Sequence, residues 1–174
     1  MRRRDFLGLV TAGVGGVMLN SCSYKLSLDG SSIPLEMKTI NIEYFENNAL
    51  LVVNTLSQQF TEALKNRIRT QTKLSIVRGE ADATMSGSIT GYTIAPVSIE
   101  ASDPNTPPIA GASRLTITVH VKYVYEADKK LSFEDSFSKF ANFTGDISSR
   151  EQALIQDINK QLTDDIFNKA FANW

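Results

Sequence analysis

Between positions 115 and 125 every second residue is large and apolar: Leu115, Ile117, Val119, Val121, Tyr123 and Tyr125. A period of two places all six on one face of an extended strand, and Thr116, Thr118, His120 and Lys122 on the other. Such a strand needs neighbours for its backbone groups and a second layer for its apolar face. Two helical patterns can supply that layer. Leu56, Phe60, Ala63, Leu64 and Ile68 share one side of a helix that Asn54 or Thr55 could cap and that runs to about Thr70. Leu154, Ile155, Ile158, Leu162, Ile166, Phe167, Ala170 and Phe171 share one side of a second helix. Ser148 and Glu151 open it at the spacing of a capping box, and from 148 onward it would be about 36 Å long.

The other segments read as strands and turns. Residues 38–45 alternate, with Ile40, Ile42 and Tyr44 on one face. Residues 73–78 form a short second strand. Residues 83–99 are β-rich, and Gly87 and Gly91 inside them mark a bulge or a close backbone approach. Residues 96–113 hold four of the five prolines and are expected to contain a long loop. Its apolar Val97, Ile99 and Ile109 suggest a partner contact. Asp128, Lys129 and Lys130 then turn the chain into a strand at 131–140. The expected fold is α+β: a two-layer sandwich of one mixed four- to five-stranded sheet, with two amphipathic helices packed on one face. The first strand, first helix and second strand form a parallel, right-handed crossover. A single domain spans residues 38–174.

The N-terminus reads as an address. Arg2, Arg3 and Arg4 precede a glycine-containing apolar stretch at 6–19, too short to span the roughly 30 Å of a bilayer's hydrocarbon. Residues 1–21 are therefore a signal peptide. The chain's one cysteine, Cys22, follows Leu19, Asn20 and Ser21. This resembles a bacterial lipobox, with a leucine at −3 and a small residue at −1, and it makes Cys22 the lipidation site. Several acyl chains at about 0.8 kcal/mol per buried CH₂ hold a domain on a bilayer far better than one. Arg3 and Arg4, followed by Asp5, Phe6 and Leu7, also resemble the twin-arginine export pattern, with an ordinary secretory signal as the alternative. Ser23 follows the cysteine where aspartate would favour inner-membrane retention, and its resemblance to the lipoprotein sorting pattern implies the outer membrane. Residues 22–37, with Gly30, Ser31, Ser32 and Pro34, read as a lipidated flexible tether.

The composition excludes several classes. Removing residues 1–21 takes three arginines and Asp5 from the 18 basic and 19 acidic side chains, leaving 15 and 18. A domain at −3 has no net field to attract nucleic acid. One cysteine and one histidine exclude an internal disulfide and a cysteine or histidine metal cage. No nucleophile elbow, phosphate loop or zinc helix motif is present. His120 faces away from the apolar set and reads as a solvated side chain. The pairs Glu134-Asp135 and Asp164-Asp165 point to different sides of their elements and read as solvated charge. Lys65, Arg67 and Arg69 read as an exposed helix face. These readings imply a non-enzyme without cofactor.

Six segments, in order, carry a resemblance to a known family. They are Ser32-Ile33-Pro34, then Thr39-Ile40-Asn41-Ile42-Glu43-Tyr44-Phe45, then the helix from Leu56 through Gln59-Phe60 to Leu64-Lys65. Gly87-Ser88-Ile89-Thr90-Gly91-Tyr92, Arg114-Leu115-Thr116-Ile117-Thr118-Val119 and the end from Asp165-Ile166-Phe167 to Trp174 follow. With a lipobox in front, the chain resembles the LPS-assembly lipoprotein family, LptE, over nearly all of the mature region. The resemblance implies a sheet covered by two helices and a lipid tether to the inner leaflet of the outer membrane, on the periplasmic side. It implies seating in the lumen of an LptD-type β-barrel partner, and support of lipopolysaccharide transport and assembly. The family's lipopolysaccharide-contacting basic residues do not map onto named positions here. Two other classes fit the same residues. A scaffold of another outer-membrane assembly machine would co-purify with a different partner, and a periplasmic hydrolase would show turnover.

Overall fold

A computed structural model describes residues 33–51, 53–99 and 109–172. In chain order these form β1 (Thr39–Ile42), β2 (Glu46–Asn47), α1 (Leu56–Gln71), β3 (Ser75–Val77), β4 (Ala83–Ile99), β5 (Ile109–Tyr125), a 3₁₀ turn (Lys129–Leu131), β6 (Phe133–Thr144) and α2 (Glu151–Phe171). The strands make one mixed sheet in the order β3-β1-β4-β5-β6, with β2 also paired to β4. Both helices cover one face of it, giving the two-layer α+β architecture that the periodicities imply. The two-residue β2 brings the strand number to six, one above the expected range.

Core and periodicity agree closely. Leu115, Ile117, Val119, Val121, Tyr123 and Tyr125 are buried beneath the helices, together with Leu56, Phe60, Leu64 and Ile68 of α1 and Ile155, Ile158, Leu162 and Ile166 of α2. Gln59 Nε2 donates to Gln152 Oε1 at 2.8 Å, and Arg67 Nε lies 3.1 Å from Asp164 Oδ1. These two pairs set the helices side by side, running in the same direction. β1 is parallel to both β3 and β4 and lies between them. Residues 78–82 must therefore pass across β1, and Asp82 fastens that crossing. Its Oδ2 accepts from the amides of Lys38 and Thr39 and from the Thr39 hydroxyl at 2.8–2.9 Å.

β4 changes phase midway. The register with β5 slips between Ile89 and Gly91, so the buried set passes from Ala83, Met85 and Ile89 to Tyr92. A β-bulge does this by adding one residue to one strand. Gly87 marks a close backbone approach, its Cα facing the His120 carbonyl and the Phe45 ring.

Four local expectations are corrected. Tyr44 is 57% exposed, and Phe45 takes the core position instead. The first strand ends at Ile42, and the Phe45 amide donates to Thr61 Oγ1 of α1, so the alternation of β1 does not continue past it. Ser148 does not cap α2. Its amide and hydroxyl both donate to Asp146 Oδ1, while Glu151 accepts from Tyr92 instead of folding back. Without that extra turn α2 has 21 residues, about 31 Å of helix. Residues 96–99 and 109–113, the two ends of the expected loop, are strand, with Pro96 opposite Ser113 and Val97 opposite Ala112, while residues 100–108 of that loop lie outside the described residues. Proline is tolerated there because β1 and β2 pair only with residues 83–85 and 88–89 of β4. Beyond them, among the described residues, β4 is paired only to β5, so its other side is an edge, where a missing amide donor breaks no ladder. Finally, Met37, at the end of the expected tether, is only 5% exposed, and its Sδ accepts from the Tyr123 hydroxyl. The folded domain thus begins slightly before β1.

Candidate interaction surface

The face of the sheet away from the helices is largely polar across β5 and β6. Across β5 and β6 the register sets Lys122 beside Glu134, His120 beside Ser136, Thr118 beside Ser138, Thr116 beside Phe140 and Arg114 beside Asn142. These side chains bond to one another rather than to a buried partner. Thr118 Oγ1 and Ser138 Oγ are 3.1 Å apart. His120 places Nε2 3.0 Å from Glu134 Oε1 and Nδ1 3.3 Å from Ser136 Oγ. Lys122 Nζ lies 3.1 Å from the other Glu134 oxygen. The hydrogen bond from His120, then that from Lys122, holds the Glu134 carboxyl below the usual carboxylate range. Exposed pairs like these stabilise the domain little, but they hold the ladder's side chains in a fixed pattern.

One exposed aromatic ring interrupts the β5–β6 part of this face. The Phe140 ring is 48% exposed. The Arg114 guanidinium lies 3.9 Å above it, and Arg114 Nε donates to Asn142 Oδ1 at 2.9 Å. An arginine stacked on an exposed aromatic and fixed by a neighbour is a composition enriched at protein interfaces. This trio is not legible in the local sequence pattern. Its one signal was Phe140 falling out of phase with the inward Phe133, Phe137 and Phe143.

The other charged residues weighed from the sequence are taken up within the domain. Lys65 pairs with Glu62, and Arg67 pairs with Asp164 while lying 5.2 Å from the Phe167 ring. Arg69 Nη1 donates to Asn66. Asp165 binds Lys139 at 2.7 Å and Asp135 binds Lys169 at 3.2 Å. Each acidic pair therefore splits between two sides of its element, and each carboxylate has a cation. Between sheet and helices Tyr92 of β4 donates its hydroxyl to Glu151 at 2.7 Å, and burial followed by that carboxylate pushes the phenol well above its ordinary range. Among the described residues no cluster of His, Cys, Asp and Glu could hold a metal ion, and no helix is long and apolar enough to cross a membrane. Cys22, Arg3 and Arg4 lie outside the described residues.

The chain is thus a two-layer α+β domain whose open sheet face is largely polar across β5 and β6. A family model for lipopolysaccharide assembly, LptE, matches residues 37–170, and the chain belongs to that family. A search of curated proteins finds no relative. Among solved structures, the chain is similar to rare lipoprotein B from Shewanella oneidensis, with 13% identity, 75% of this chain and 92% of that one covered, and a TM-score of 0.50. A hypothetical protein from Chlamydia trachomatis is 9% identical over 79% of this chain and 99% of its own, with a TM-score of 0.50. A protein from Xanthomonas campestris is 10% identical, with 75% and 81% covered and a TM-score of 0.52. At such identities the likeness is one of fold. The family match makes the chain a lipopolysaccharide-assembly lipoprotein.

Proposed function

We propose that this protein is lipidated at Cys22, held on the periplasmic side of the outer membrane, and seated in the lumen of an LptD-type β-barrel. There it supports the barrel's export of lipopolysaccharide as a non-catalytic partner. The observation that carries the seating is the open sheet face. The lumen of an outer-membrane barrel is polar and hydrated, and Thr116, Thr118, His120, Lys122, Ser136 and Ser138 form a polar surface that can sit against such a wall with its hydrogen bonds satisfied. Phe140 and Arg114 supply one amphipathic anchor within it.

The experiment is a tagged pull-down from detergent-solubilised outer membranes, with and without Cys22→Ala. A β-barrel of the lipopolysaccharide exporter should be recovered with the parent protein. The variant precursor should stay uncleaved by the lipoprotein signal peptidase and take up no fatty-acid analogue. Recovery of a different assembly machine would favour the other scaffold reading, and labelling that persists in the variant would remove Cys22 as the anchor.

A further inference from the structure

β6 forms one margin of the sheet, and among the described residues it pairs only with β5. Two hydrogen bonds at the end of β5 fix which backbone groups of β6 are left over. The Tyr125 amide points to the β6 side and donates to Ser132 Oγ, while the next amide, of Glu126, points to the β4 side and donates to the Asp82 carbonyl. Odd residues of β5 therefore bond to β6, and so do the odd residues of β6 that stand opposite them. The even ones, Glu134, Ser136, Ser138, Phe140, Asn142 and Thr144, turn their N–H and C=O groups outward. Such a row is a template for another strand. The other margins are blunted: β3 has three residues, and the open stretch of β4 carries Pro96. β6 has twelve residues without proline, glycine or a slip in register. Its inward charges, Asp135 and Lys139, are each engaged by α2, through Lys169 and Asp165.

The charge along the strand names the occupant. Glu134 and Asp135 stand at its start, Lys139 past its middle, and Arg114, bound to Asn142, beside its end. Two such strands laid antiparallel set acid against cation, whereas parallel pairing in register sets like on like. We propose that β6 pairs with β6 of a second copy, antiparallel about a two-fold axis at Ser138. Ser138 then faces itself, Ser136 faces Phe140, and Glu134 faces Asn142 and the arginine bound to it. On the helix side Asp135 lies diagonally across from Lys139, within reach of long side chains. The exposed Phe140 ring is covered, and the contact, being the same patch on both copies, closes on itself. It covers the Phe140–Arg114 anchor that the barrel reading uses, so it belongs to the chain apart from the barrel. Each reading can fail without the other.

Sedimentation equilibrium of the full protein in density-matched detergent, across a range of concentrations, should give a monomer–dimer equilibrium. Ser136→Pro deletes an outward N–H and no bond to β5. It should weaken the dimer about tenfold or more, because each copy loses one hydrogen bond to the other. Ser138→Glu and Ser138→Lys each set like charges on the axis, so each should be monomeric alone and the two dimeric when mixed. If Ser136→Pro does not fold, the Ser138 variants decide alone. A parent protein that stays monomeric up to its highest soluble concentration would overturn the proposal. So would a dimer indifferent to these substitutions, or a mixture of the two Ser138 variants that stays monomeric.

Discussion

Gly87 offers the sharpest test of how the sheet is packed. It sits in β4 opposite Val121. A Cβ added there would drive into the His120 carbonyl oxygen and stand 2.7 Å from Phe45 Cε1. Neither neighbour can give way. The carbonyl belongs to β5, held between β4 and β6, and Phe45 is fully buried with its ring edge-on to Phe60 at 5.1 Å. Overpacking a well-filled site costs about 1–3 kcal/mol, and two immovable neighbours put Gly87→Ala at about 3 kcal/mol. At about 2–4 °C per kcal/mol for a domain near this size, the midpoint should fall by about 6–12 °C. Thermal unfolding followed by circular dichroism measures this directly. Gly79→Ala is the comparison. Its φ of +88° disfavours a side chain, but nothing lies within 4 Å of the added carbon, so only backbone strain of about 1 kcal/mol is expected. A Gly87→Ala protein within about 0.5 kcal/mol of the parent, or no less stable than Gly79→Ala, would refute the close β4–β5 approach.

Leu162 is fully buried at the α2–sheet junction, so Leu162→Ala should cost about 2–5 kcal/mol in denaturant unfolding, and a change below about 0.5 kcal/mol would put α2 on the surface. Tyr92→Phe removes the donor to Glu151 and should cost about 1 kcal/mol, read by the same unfolding curves. Asp82 gives a pH dependence: the amide of Lys38, then the hydroxyl and amide of Thr39, hold its carboxyl below the unfolded value. The stability it contributes is present above that unfolded value and lost as pH falls through the folded one, so Asp82→Asn should flatten the acid limb of stability below about pH 5.

The layers of this fold were legible because both helices and β5 have one buried face each. Burial of a single face writes a period of 3.6 or 2 directly into the chain. The errors fell where long-range pairing overrides local pattern. Tyr44 continues the alternation of β1, but the sheet needs Phe45 inside, under Thr61. Ser148 and Glu151 have capping-box spacing, but Asp146 and Tyr92 offer each a better partner. Prolines imply a loop at 96, yet an edge strand tolerates Pro96 because no ladder amide is needed there. The polar strip of Thr118, His120 and Lys122 could be read from β5 alone. The Arg114–Phe140–Asn142 cluster could not, because it depends on the β5–β6 register, which no local pattern specifies.

The most direct measurement of the seating is site-specific photo-crosslinking in intact outer membranes. A photoreactive amino acid at Thr118, on the open face, should capture the β-barrel of the lipopolysaccharide exporter. The same group at buried Leu162, in a chain that still folds, should capture nothing. Capture of a different outer-membrane machine from Thr118, or no capture from any position on the open face, would contradict the proposal that this face lies against the barrel wall.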